Sequence, residues 1–386
     1  MAFTLLQKDP GTRARLGRYE TAHGAFETPV FMPVGTQATV KAMRPEELKQ
    51  LGAAIILGNT YHLFLRPGHR VIAELGGLHR FMNWDGPILT DSGGYQVFSL
   101  AKMCKLREAG VRFQSHLDGA SHLLSPELAI EIQEALGSDI MMVLDECLPY
   151  PSEREAVAKS LGLTVDWARR CLEAKRREDN SLFAIVQGGV YPELRTECAE
   201  RLLELEMRPD AQGRRRRFDG LAVGGLSVGE PMPLAYDIVG SLEPKLPEDR
   251  PRYLMGVGMP EDIVICIGLG IDMFDCVVPT RSARHGLLFT ARGRLYIKRA
   301  EFLRDPRPID ESCACYTCKN YSRAYLRHLS LSKEVLSAVL NTIHNLHYFL
   351  NLLTQARLAL RAGDYARFQR DFFNELQTGE ARVAEP

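Results

Sequence analysis

No charge of either sign predominates in this chain of 386 residues: 48 lysines and arginines balance 48 aspartates and glutamates, giving zero net charge with neutral histidines. Adhesion to polyanions by sheer charge is thereby excluded, and any nucleic acid must be held by a local basic face. Long apolar runs are also missing. The longest, around residues 263–271, is far too short to span a bilayer, so no membrane association is expected. The opening residues contain no basic segment followed by an apolar stretch, so no secretory signal is expected there. Low-complexity tracts and repeats beyond a strand–helix unit are absent. The nine cysteines are an odd number, six scattered and three within six residues, Cys313, Cys315 and Cys318. That distribution points to a reducing cytoplasm and one metal site, not to a disulfide framework.

The chain does have short β-rich runs ending in Gly, Asn, Asp or Gln, many followed by a capped helical segment. Eight such runs lie at residues 29–35, 54–59, 87–91, 139–145, 182–187, 221–226, 253–258 and 273–278. Ser125 and Pro126 open a helix that Gly137 stops, and Pro192 and Pro260 stand where first helical turns begin. Ser152 and Glu155 have capping-box spacing before a segment ending near Asp179. Eight strand–helix units predict an α/β fold, a (β/α)8 TIM barrel, because parallel strands need right-handed crossovers that curl the sheet. An open doubly wound sheet would show a glycine fingerprint, and Gly256-Val-Gly258 alone is too weak.

Residues 111–124, with Asp118-Gly119, read as a hairpin inserted after the third strand. A second hairpin at 286–298 leads into the cysteines. A long amphipathic helix at 332–361 follows, with Val335, Leu336, Val339, Leu340, Ile343, Leu346 and Leu350 on its buried side. The expectation is one barrel domain over 1–386, with a zinc-binding subdomain at 286–350 inserted before the C-terminal barrel helix. The four arginines at 214–217 read as a solvated loop, with an RNA phosphate contact as the sharper alternative.

Barrel active sites lie at the carboxyl ends of the strands. Those positions carry Asp91, Asp145, Gln187, Gly224-Gly225 and Gly256-Val257-Gly258, with Asp275 inside the last strand run. A single strand-end aspartate is as readily a helix cap. Three converging with two glycine pairs suit glycosidic chemistry, where one carboxylate attacks or stabilises the sugar carbon and another moves protons. A third carboxylate, which only accepts hydrogen bonds, is suited to an amidine-like edge such as guanine's, Gln187 can both donate and accept, and Tyr95 and Met255 flank the set as candidate stacking partners. The thiolates of Cys313, Cys315 and Cys318 plus a histidine of the later helix, His344 or His347, favour four-coordinate structural Zn²⁺, one per chain, with no open position for water.

Asp91-Ser-Gly-Gly-Tyr-Gln96, Asp145-Glu-Cys147, Gly224-Gly-Leu-Ser-Val-Gly-Glu230 and Asp272-Met-Phe-Asp-Cys-Val-Val-Pro-Thr-Arg281, with the cysteine–histidine set, resemble the tRNA-guanine transglycosylase family. The resemblance runs from about Thr28 to the C-terminal helices. It implies exchange of guanine 34, at the wobble position of tRNAs whose anticodon begins guanine-uracil (those for Asp, Asn, His and Tyr), for a 7-deazaguanine on the way to queuosine. It implies Asp275 as nucleophile, forming a covalent RNA–enzyme intermediate, and Asp91 as general acid and base. The base site it implies comprises Asp91, Ser92, Gly93, Gly94, Tyr95, Asp145, Cys147, Gln187, Gly225, Leu226 and Met255. The RNA contacts it implies are Gly256, Val257, Gly258, Met259, Pro260, Glu261 and Asp262, and then Thr280, Arg281, Ser282, Ala283 and Arg284. His344, followed by Asn345, matches the family's zinc histidine. Cys147 and Val228 resemble the bacterial branch, whose incoming base is 7-aminomethyl-7-deazaguanine (preQ1), and a homodimer is expected. Gln187-Gly-Gly189 departs from the family, with a glycine where many relatives have serine. Two rival readings are a noncatalytic tRNA-binding barrel subunit and a metal-dependent hydrolase. The three aspartates together argue against the first, and the lack of strand-end histidines argues against the second.

Overall fold

The computed structural model describes residues 2–100, 104–207, 209, 213 and 215–383. Eight strands, Val30–Gly35, Ile56–Gly58, Ile88–Thr90, Ile140–Met142, Ser181–Val186, Gly220–Val223, Arg252–Leu254 and Met273–Cys276, close into a barrel in chain order. Every neighbouring pair is parallel, and closure is made by the last strand on the first, Met273 opposite Val30 through Cys276 opposite Pro33. All but the last are buried along their whole length, the signature of parallel strands covered on both faces. Each lies within or overlaps one of the eight predicted runs. The fold is therefore a (β/α)8 barrel.

The crossover helices start and stop for local reasons. Ser125 Oγ accepts the Leu128 N–H (3.2 Å) ahead of Pro126–Leu136, and Gly137 ends that helix at φ +75°. The expected Ser152–Glu155 capping box does not form. Ser152 Oγ donates instead to the Pro149 carbonyl (2.6 Å), and the helix Arg154–Ala174 begins after Glu153. That helix ends before Asp179 because the N–H groups of Arg176 and Arg177 turn to Glu134 Oε1 (2.8 and 2.9 Å) instead of continuing the ladder.

Three additions decorate the barrel. An antiparallel sheet of Ala2–Lys8, Arg15–Thr21 and Gly24–Thr28, not anticipated from the sequence, covers the floor. The predicted 111–124 hairpin is present as Gly110–Gln114 with Ser121–Leu124, extended by a third strand, Cys104–Arg107. The second hairpin, Leu287–Thr290 with Gly293–Tyr296, belongs to a small separate core of Leu288, Ile297, Phe302, Ile309, Cys315, Cys318, Leu326, Leu329 and Leu340. The long helix runs Val335–Ala362 and starts later than expected, because Ser332 ends the preceding helix Arg323–Leu331 and Lys333 turns at φ +57°. Val335 and Leu336 are consequently exposed (78% and 41%), whereas Leu340, Ile343, Leu346 and Leu350 are buried. No helix among the described residues is long and apolar enough to cross a membrane.

At the floor the carboxylates are partnered. Buried Asp272 accepts from Arg15 Nε and Nη2 (3.0 and 2.6 Å) and from the Arg252 N–H (2.7 Å). Asp139 accepts the Ile88 N–H (2.8 Å) and lies 2.8 Å from His23 Nδ1 and 3.1 Å from His79 Nε2. The two imidazoles stack with centroids 3.5 Å apart, so one ion bound to both would sit far out of each lone-pair plane. The trio clamps the N-terminal sheet to the barrel.

Candidate active site and metal centre

Asp91 follows the third barrel strand and is 8% exposed at the mouth. Its Oδ1 accepts the Thr60 N–H (2.8 Å), and its Oδ2 accepts from Asn59 Nδ2 (2.5 Å) and Gln96 Nε2 (2.8 Å). Burial raises its pKa to about 6, with the negative charge of Asp275 adding to the effect and the three donors opposing it. Asp275, on the eighth strand, uses only Oδ1, which accepts from Tyr253 Oη (2.6 Å) and the Gly256 N–H (2.8 Å). Its Oδ2 has no protein partner among the described residues. Burial raises this pKa as well, against the two hydrogen bonds. No cation pairs with either aspartate among the described residues.

Asp145 follows the fourth strand and accepts from Gln187 Nε2 at the end of the fifth (2.7 Å). Burial raises its pKa to about 6, against the Gln187 hydrogen bond. The glycine pair after the sixth strand makes room for that amide. A Cβ on Gly224 would stand 2.8 Å from Gln187 Nε2, and one on Gly225, at φ +62°, 2.4 Å from Gln187 Oε1. Gly94 is equally constrained, since a Cβ there would meet the Asp145 carbonyl at 2.9 Å. Ser92, Gly93 and Leu226 are buried beside them, and burial pushes the Cys147 thiol up to about 12. A small cavity opens next to this set, lined by Glu146, Gln187, Gly225, Val228 and Glu230 among others. Glu230 holds its loop closed by accepting the N–H groups of Ser227 and Val228. Tyr95 stands exposed at the rim and Met255 is partly buried.

The segments expected to meet RNA also reach the mouth. Gly256 to Met259 form the turn into the helix Pro260–Gly268. The acidic side chains of that helix are engaged elsewhere: Asp262 accepts from Tyr236 Oη (2.5 Å), and Glu261 pairs with Arg294 of the second hairpin (2.9 Å). Thr280 to Arg284 belong to the helix Val278–His285, on which Arg281 is exposed. Within the arginine run, Arg216 donates to the carbonyls of Leu172 and Lys175 (3.1 and 2.5 Å) and Arg217 pairs with Asp249 (3.5 Å), as a structural loop would. Arg214 lies outside the described residues.

Several site residues have no signature in the sequence. Asn59, Thr60 and Tyr253 hold the two aspartates, and Gln96 was legible only as a motif letter. Their one signal is a polar side chain within or just beyond an apolar strand run.

Cys313, Cys315, Cys318 and His344 bring their ligand atoms within 4.8 Å of one another. His344 Nδ1 lies 3.7, 3.6 and 3.3 Å from the three Sγ atoms. Tetrahedral zinc bonds would separate sulfur from nitrogen by about 3.6 Å. His344 Nε2 donates to the Phe289 carbonyl (2.7 Å), which leaves Nδ1 as the lone-pair donor. His347 comes near only Cys313 (3.6 Å), so His344 completes the set. The residues fit a four-coordinate metal ion.

A profile of the queuine tRNA-ribosyltransferase family matches residues 9–378. Curated proteins of that description are similar over nearly their whole length. The one from Thermoanaerobacter sp. (strain X514) is 55% identical over 374 residues, 97% of this chain and 97% of its own. The one from Solidesulfovibrio magneticus is 56% identical over 369 residues (95% and 96%), and that from Symbiobacterium thermophilum 52% over 382 residues (99% and 93%).

Proposed function

Because the chain belongs to the queuine tRNA-ribosyltransferase family, an enzyme family of tRNA-guanine transglycosylases acting in queuosine synthesis, we propose that it replaces guanine 34 by preQ1 in tRNAs whose anticodon begins guanine-uracil, those for Asp, Asn, His and Tyr. The observation that carries this reading is the pair of cation-free aspartates, Asp91 and Asp275, beside the Asp145–Gln187 pair at one barrel mouth. Asp275 Oδ2, the carboxylate oxygen with no partner, attacks C1′ of the ribose. The C1′–N9 bond breaks and Asp91 gives a proton to the departing guanine. Asp91 then takes the N9 proton of the incoming base as that nitrogen displaces Asp275. Two displacements retain the configuration at C1′.

Asp145 and Gln187 hold the polar edges of the base, with the Gly225 N–H and the Leu226 carbonyl. Ser92, Gly93 and Gly94 shape the floor beneath it, Cys147 lies beside it, and Tyr95 and Met255 stack on its faces. The segment Gly256 to Asp262 follows the RNA backbone, and Thr280 to Arg284 read the neighbouring anticodon bases once the target nucleotide leaves the stack. Val228, lining the cavity beside Asp145, supports the smaller preQ1 over queuine.

We read the chain as one catalytic barrel, with residues 286–350 as a subdomain held by one structural Zn²⁺ on Cys313, Cys315, Cys318 and His344. Such an ion would tie the cysteine loop and the short helix Tyr316–Asn320 to the long helix, and four protein ligands would leave no position for water. A homodimer is supported by the exposed Tyr316, Tyr325, Leu331 and Val335 on that subdomain; the site of action is the cytoplasm.

Incorporation of labelled guanine into such a tRNA tests the reading, followed by a chase with unlabelled preQ1 or queuine. Exchange by wild type and not by Asp275→Asn, with displacement by preQ1 and not queuine, supports it. No exchange by folded, zinc-loaded wild type would sink it in favour of a tRNA-binding subunit.

A further inference from the structure

Arg195, on the helix Pro192–Met207, is wholly buried and has no carboxylate in ion-pair distance among the described residues. Arginine is seldom buried without such a partner. Its donors go instead to backbone carbonyls of the two loops that bracket Gln187. Nε donates to Gly189 (2.7 Å), Nη1 to Val186 (3.1 Å) and Gly224 (2.9 Å), and Nη2 to Gly225 (3.3 Å). Burial lowers its pKa to about 10, which leaves it cationic at neutral pH.

The Gly224–Gly225 peptide is trans, so its N–H points opposite to its carbonyl. With the Gly224 carbonyl drawn onto Arg195, the Gly225 N–H faces away from the arginine. Gly225 and Gln187 line the cavity, and Arg195 does not. Gly188 fits the same arrangement: at φ +146° a Cβ there would strike Arg195 Cγ at 2.6 Å and the Arg195 nitrogen at 2.7 Å. The Gln187-Gly-Gly189 run is thus the path that lets the guanidinium reach both loops.

We propose that Arg195 is a positioning residue for base recognition, a buried fork that sets the peptide plane of Gly225 and the strand end bearing Gln187 so that both meet the incoming base. This rests on the base-reading role given to Gly225 and Gln187 above.

Arg195→Lys keeps a cation but only three donors, and loses the planar fork. Labelled-base exchange should show the KM for guanine raised about tenfold, the effect of one misaligned hydrogen bond. The KM for tRNA and the bound zinc should stay near wild type. Arg195→Gln, which buries no charge, is the second variant and should raise the base KM further. Folded variants with an unchanged base KM would overturn the proposal. So would variants that merely unfold, since both results make Arg195 structural. Failure of wild type itself to exchange guanine would overturn the functional reading instead.

Discussion

The two ends of the barrel treat the same side chain in opposite ways. At the floor, Asp272 faces Arg15, and Asp139 is shared by two imidazoles. Burial pushes the Asp139 pKa up, but the hydrogen bonds from His79 and His23 outweigh it and hold the carboxyl below the usual range. At the mouth, Asp91 and Asp145 are buried and Asp275 is half-buried, all without a cation among the described residues, and desolvation leaves all three raised. A compensated carboxylate stabilises a fold; an uncompensated one is a cost to stability that chemistry can use. The difference supports placing function at the mouth without reference to any relative.

The sharpest way to break this contrast is to neutralise one carboxylate at each end. Asp275→Asn should cut base exchange by about 10⁴-fold while leaving the unfolding temperature nearly unchanged, because it removes the proposed nucleophile and no ion pair. Asp272→Ala should do the reverse. Leaving Arg15 buried without its partner should cost about 3–5 kcal/mol in denaturant unfolding, with the exchange rate per folded molecule retained. Comparable activity losses in both variants would erase the distinction.

Asp145→Asn is expected to stabilise the protein while impairing exchange. The Asp145 pKa is raised to about 6 from 3.8, so its contribution to stability is full below the unfolded value and is lost as pH rises through about 6. The stabilising effect of the substitution should therefore be larger at pH 8 than at pH 5, by roughly 1–1.5 kcal/mol. A pH-independent difference in unfolding free energy would contradict the burial argument. The smallest expected effect is that of Tyr253→Phe. Removing one donor from Asp275 Oδ1 should slow exchange by about tenfold with tRNA KM unchanged, because a backbone N–H still holds the same oxygen.

The barrel itself was legible because each parallel strand is a short apolar run with punctuation at its end. The clustering of Asp91, Asp145 and Gln187 followed from strand ends alone. What escaped was whatever depends on strand order. Asn59 and Asp91 are 32 residues apart in sequence yet meet because their strands are neighbours. Arg195 reaches across from one crossover helix to the glycines of the next loop. No spacing pattern encodes either contact. The N-terminal sheet escaped for another reason: Ala2–Lys8 alternates between exposed and partly buried positions and contributes no fully buried residue, so its apolar signal is faint. Ser152 shows the opposite failure, in which capping-box spacing was present but the side chain found a nearer carbonyl.

The division of labour between Asp275 and Asp91 is open to direct measurement. Wild-type enzyme is quenched while turning over a tRNA whose anticodon begins guanine-uracil, digested with protease and nuclease, and the nucleotide-bearing peptide is sequenced by mass spectrometry. The expected result is a ribosyl adduct on the Asp275 carboxylate, absent in Asp275→Asn. An adduct on Asp91, or turnover with no adduct on either aspartate, would contradict the assignment of the unpartnered Asp275 Oδ2 as the attacking atom.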